Sequence, residues 1–85
     1  MKKPRRKGSP RTPSNVDNFI GARIRERRLA LDMSQEALGQ KLGVTFQQIQ
    51  KYEYGSNRVS AARLFEICQV LEVSLASMFE RQLKT

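Results

Sequence analysis

Two glycines, Gly43 and Gly55, cut the middle of this 85-residue chain into short helices, and that punctuation constrains the fold more than any other feature. Ser34 suits the N-cap of a helix whose apolar pair, Leu38 and Leu42, stands at i and i+4. Gly43 stops that helix, because glycine takes the left-handed conformation without Cβ strain. Thr45 and Gln48 then read T-x-x-Q, a capping box for a following helix with Ile49 and Tyr52 as its apolar face. Gly55 ends it. Residues 34–55, SQEALGQKLGVTFQQIQKYEYG, are therefore two short helices around a glycine turn, with small Gly39 where the pair must cross closely. Apolar Leu38, Leu42, Val44, Ile49 and Tyr52 knit the two together, which is the helix-turn-helix pattern.

The flanks are also helical, and no alternating strand pattern of useful length occurs. Phe19 or Ile20, Ile24 and Leu31 mark one side of a helix over residues 16–31, broken near Asp32 and Met33. Ser60 can cap a fourth helix with Ala61, Leu64, Phe65, Cys68 and Leu71 inward. Ser74 can cap a fifth, with Leu75 and Phe79 assigned to the core and Met78 and Leu83 as a possible dimer face. The expected fold is all-α, a compact five-helix bundle. Cys68 on its apolar stripe reads as core packing rather than a redox site.

Charge points to the partner. Sixteen Lys plus Arg against eight Asp plus Glu give a net +8, but the excess is uneven. Residues 1–15 carry Lys2, Lys3, Arg5, Arg6, Lys7 and Arg11 and no acid, leaving ten basic and eight acidic residues downstream. With three prolines and Met1 as its only apolar side chain, this stretch is expected to be a disordered basic arm ahead of a folded domain over 16–85. A polyanion is the natural ligand of such a chain. One Cys and no His cannot supply a zinc site or a Ser-His or Cys-His pair, so neither metal nor cofactor nor enzymatic activity is expected. No apolar run approaches the length of a membrane span, and none follows the basic start as in a signal peptide.

On the third helix, at about 100° per residue, Thr45, Gln48, Ile49, Tyr52 and Glu53 point to the domain. Phe46, Gln47, Gln50, Lys51 and Tyr54 point away. Gln can pair with adenine N6/N7 and Lys can donate to guanine O6/N7, so Gln47, Gln50 and Lys51 are the candidates for base readout. Phe46 either meets a thymine methyl or folds back on the domain. Candidate backbone contacts are Thr45, Tyr54, Asn57 and Arg58. Arg23 and Arg27, four apart, offer further phosphate contacts or a solvated face.

The chain resembles the Xre type of helix-turn-helix, the family of Cro and the lambdoid phage repressors. The resemblance runs over residues 19–79. It rests on Ile24 and Arg28, SQEAL at 34–38, LGV at 42–44, Glu53 with Gly55, and LEVS at 71–74. It implies a lambda-repressor-like five-helix domain that binds specific double-stranded DNA, usually as a homodimer, and a partly buried ion pair between Arg28 and Glu53. It also implies that Gln35 braces the recognition helix and meets a backbone phosphate, as helix N-terminal amides can. Asp32 stands where relatives often have glycine, and Asp tolerates a left-handed turn. The resemblance also implies a transcriptional regulator, most simply a repressor on a near-palindromic operator, in the cytoplasm or nucleoid of a prokaryote or phage. The competing reading is an antitoxin or other interaction module in which a protein partner dominates.

Overall fold

In the computed structural model, residues 15–80 are described. The six basic residues of the arm and Leu83 lie outside them, and Asn15, assigned to the arm, opens the first helix. Among the described residues stand four α-helices, α1 (Asn15–Ala30), α2 (Gln35–Leu42), α3 (Phe46–Tyr54) and α4 (Ala61–Leu71), followed by a 3₁₀ turn, Ala76–Phe79.

The capping chemistry places the boundaries. Ser34, Thr45 and Ser60 each adopt extended backbone and accept from the amide three residues on: Ala37 at 2.9 Å, Gln48 at 3.2 Å and Arg63 at 3.0 Å. Gly43 and Gly55 close their helices at φ 77° and 78°. In each case the next residue's N–H returns to a carbonyl one turn back, Val44 to Gly39 at 2.9 Å and Ser56 to Lys51 at 2.9 Å. Asp32, at φ 54°, provides the left-handed break after α1. Glu72 does the same after α4 at φ 61°, a position with no glycine to advertise it.

The expected fifth helix is a correction: four α-helices stand among the described residues, and the last turn is 3₁₀. Ser74 does accept from the Ser77 amide at 3.1 Å, but Ser77 Oγ donates back to the Ser74 carbonyl at 2.7 Å. Together with the i→i+3 bonds Ser77 to Ser74 and Met78 to Leu75, both 3.1 Å, this pair winds the chain more tightly than an α-helix. The tighter turn reverses the side-chain assignment. Met78 is fully buried and is no dimer face, whereas Leu75 is 44% exposed. Phe79 is partly buried against the core.

The core is Ile20, Ile24, Leu38, Ile49, Tyr52, Leu64, Ile67, Cys68, Leu71 and Met78. The α4 stripe is Leu64, Ile67, Cys68 and Leu71, so Phe65 and Ala61, expected inside, face solvent. Phe65 lies about 100° from the Leu64 direction, just past the edge of the buried face.

Burial pushes the Cys68 thiol above its ordinary value. A raised folded-state value makes this contribution to stability whole below the pKa of the unfolded thiol and lost as pH rises through the folded value. Native protein at neutral pH is expected to react with a thiol reagent on the order of tenfold more slowly than urea-unfolded chain. Equal rates would show that Cys68 is accessible.

Candidate nucleic-acid interface

The outer face of α3 rests on a rigid inner one. Ile49 is fully buried and Tyr52 nearly so, and both pack into the core shared with α1 and α2. Two glycines let the other helices approach closely. A Cβ on Gly39 would stand 2.6 Å from the Val44 carbonyl oxygen, so α2 lies directly on the turn that starts α3. A Cβ on Gly21 would collide with the carbonyl oxygens of Tyr52 and Glu53, so α1 lies against the C-terminal half of α3. The Gly21 contact was not anticipated. Its signal was a glycine between Ile20 and Ala22 in mid-helix, where it costs about 1 kcal/mol relative to alanine unless close packing requires it.

Beneath the face lies a buried polar network. Arg28 Nε donates to Glu53 Oε2 at 2.6 Å and its Nη2 to Oε1 at 3.0 Å. The side chains are 7% and 0% exposed. The remaining guanidinium nitrogen, Nη1, donates to the Met33 carbonyl at 2.7 Å. Gln35 Nε2 adds a bond to Glu53 Oε1 at 3.1 Å. One carboxylate on α3 is thus gripped from α1 and from the first residue of α2, which fixes the rotation of α3 about its own axis. Such bidentate pairs are directional as well as strong.

The side chains pointing away from this network are Phe46, at 37% exposure, Gln47, Gln50, Lys51 and Tyr54, at 69%. Gln47 and Lys51 are exposed and Gln50 is half-buried. Thr45 differs from its expected inward direction: it is exposed, with its hydroxyl committed to the cap. Gln35 is half-buried on its bond to Glu53.

Beyond α3, Asn57 and Arg58 are exposed in the loop, and the Asn57 amide donates to the Lys51 carbonyl at 3.2 Å. Arg58 meets Asp17, an acid buried in the first turn of α1 that sequence reasoning passed over. Arg23 is turned into the domain. Its side chain is only 13% exposed, donating from Nη1 to Glu26 at 2.7 Å and from Nη2 to the Ser77 carbonyl at 2.9 Å. It ties α1 to the 3₁₀ turn. Arg27 is half-buried, with its Nε enclosed. Arg63 has a similar tying role, donating to the Leu42 carbonyl at the end of α2 at 3.2 Å. No cluster of three or more potential ligands able to hold a metal ion occurs among the described residues, and no described helix is long and apolar enough to cross a membrane.

A helix with a fixed inner face and a polar outer one, paired across a glycine turn with a second short helix, is the arrangement that comparison with known proteins identifies. A helix-turn-helix family model matches residues 24–77. An uncharacterized HTH-type transcriptional regulator of Sinorhizobium medicae is 57% identical over 68 residues, 80% of this chain and 49% of that protein. An uncharacterized transcriptional regulator in the ATPase CF(0) region of Rhodospirillum rubrum is 51% identical over 69 residues, 81% of this chain and 64% of that one. This chain thus spans about half the length of the first relative. The crystal structure of a mutant of the restriction-modification controller protein C.Esp1396I superposes with a TM-score of 0.74 at 29% identity, over 86% of this chain and 92% of that one. With the match covering well over half of its residues, the chain belongs to the Xre-type helix-turn-helix family of transcriptional regulators.

Proposed function

We propose that this protein binds double-stranded DNA at a specific sequence and regulates transcription there, with α3 as the recognition helix. The observation that carries the reading is the outer face of α3: Gln47, Gln50 and Lys51, flanked by Phe46 and Tyr54, on a helix whose rotation is fixed by the Arg28–Glu53–Gln35 network. Gln47, Gln50 and Lys51 contact base edges, and Phe46 meets a thymine methyl. Gln35, Thr45, Tyr54, Asn57 and Arg58 contact the backbone. These contacts orient the protein on the duplex without reading its sequence.

A single helix of this length reads only a few base pairs, so the protein acts as a homodimer on a near-palindrome with half-sites about 34–36 Å apart. Leu83, rather than buried Met78, remains the dimer-face candidate of the original pair. Occupancy of a promoter by such a dimer most simply represses, and the site of action is the prokaryotic or phage chromosome.

Selection from a random duplex pool by the purified protein is expected to enrich one near-palindromic motif. Recovery of no motif would overturn the sequence-specific reading, and a single ungapped half-site would overturn the dimer. On the selected motif, Gln47→Ala, Gln50→Ala and Lys51→Ala are each expected to cost about 1–3 kcal/mol at one base position and to relax preference there. Their melting temperatures should match the wild type, since none of the three belongs to the buried network.

A further inference from the structure

Arg58 carries a feature that its candidacy as a backbone contact does not explain. Its Nε donates to both carboxylate oxygens of Asp17, at 3.3 and 3.2 Å. The partners are unlike: the Asp17 side chain is 7% exposed and that of Arg58 is 63% exposed. Asp17 stands in the first turn of α1, next to Asn18, against which Gly55 is pressed. The anchor is therefore set in the rigid contact between α1 and the end of α3. Arg58 is held by the inner edge of its guanidinium alone. Both Nη nitrogens, with four N–H donors, make no hydrogen bond among the described residues. A guanidinium presenting free Nη groups has the planar fork that a phosphate accepts bidentately.

We infer that Asp17 is a positioning residue. It grips Arg58 through Nε and so presents the two Nη groups, preordered, to a DNA backbone phosphate beside the C-terminal end of α3. The inference rests on the DNA-binding reading and deepens it. A long surface side chain otherwise loses its rotamer freedom at the moment of binding, and the buried anchor removes that loss beforehand. The arrangement has a consequence opposite in sign to simple electrostatics. Removing a negative charge near a polyanion site should tighten binding, whereas removing an anchor should weaken it.

The test compares full-length wild type, Asp17→Asn, Arg58→Lys, Arg58→Ala and the Asp17→Asn/Arg58→Ala double variant. Affinity is measured against salt concentration on the selected duplex and on a scrambled one, below the melting range of every variant. Arg58→Ala is expected to weaken both duplexes alike and to reduce the salt slope by about 0.9. Asp17→Asn is expected to weaken binding by about three- to tenfold with the wild-type slope kept, because the Arg58 charge remains. It should add nothing in the Arg58→Ala background. Arg58→Lys should keep the slope and lose the affinity. In the wild type, the Arg58 Nε–H NMR signal should be protected from exchange in the free protein and stay so on DNA, a readout that does not depend on the Asp17 variant folding.

Unchanged or tighter binding by Asp17→Asn, an equal loss in both backgrounds, or loss of Nε–H protection on DNA would overturn the anchoring role. An unchanged slope in Arg58→Ala would overturn the phosphate contact. Wild type that binds neither duplex would instead overturn the DNA-binding reading beneath it.

Discussion

Glu53→Ala is expected to destabilise the domain by about 3–5 kcal/mol, because it leaves the Arg28 guanidinium buried without its counter-charge. The loss is larger than for a surface ion pair, where about 0–1 kcal/mol is usual. Both side chains are almost wholly removed from water, and one carboxylate satisfies Arg28 twice and Gln35 once. For a domain of this size the midpoint of thermal unfolding should fall by more than about 10 °C. Replacing both partners by apolar residues, Arg28→Met with Glu53→Leu, should recover most of the loss, since no lone buried charge remains. The recovery is incomplete because the Met33 carbonyl and the Gln35 amide lose their partners in the double variant. A melting curve of Glu53→Ala that overlays the wild type would remove the network from the account of the fold. DNA affinity should fall with the folded fraction while base preference is kept, which separates buried Glu53 from half-buried Gln50, about 60° away around α3.

That network shows what kind of information the sequence carries. Cap residues and stops were legible because their chemistry is local: Ser34, Thr45 and Ser60 each act on an amide three residues away, and Gly43 and Gly55 on their own backbone. The buried side of α3, Ile49, Tyr52 and Glu53, followed from its helical period, whereas Gln48 and Gln50 are both half-buried and the extended backbone of Thr45 takes it off that period. Where several crossings compete, the period alone was insufficient. On α4 it admitted Phe65 and passed over Ile67, because both flank the stripe centred on Leu64, Cys68 and Leu71 and only the neighbouring helices choose between them. At the C-terminal turn the residues per turn themselves changed, exchanging Leu75 and Met78. The contacts farthest apart in sequence were the least legible. Arg58 and Asp17 are 41 residues apart, and Arg23 reaches Ser77 across 54. Nothing local to either partner announces such a meeting.

Deleting residues 1–14 is expected to produce the largest change in DNA affinity, and to do so without touching the preferred sequence. All six basic residues of the arm lie there, and the chain from residue 16 onwards holds nearly balanced charge. Each phosphate neutralised by a Lys or Arg contributes about −0.9 to the slope of log affinity against log salt, so six contacts would account for about −5 of it. Between 50 and 200 mM salt a protein making six such contacts loses about a thousandfold in affinity. The truncated protein should therefore lag far behind the full chain at low salt, approach it at high salt, and select the same motif from a random pool. The reverse outcome is equally sharp. Were truncation to abolish the motif as well as the affinity, base readout would reside in the arm, and the outer face of α3 would be only a solvated surface. Were the slope unchanged, the six charges would not touch the duplex, and affinity would have to come from Arg58 and the few other polar groups around α3. Charge supplies affinity in this division and α3 supplies discrimination, so the two should be removable one at a time.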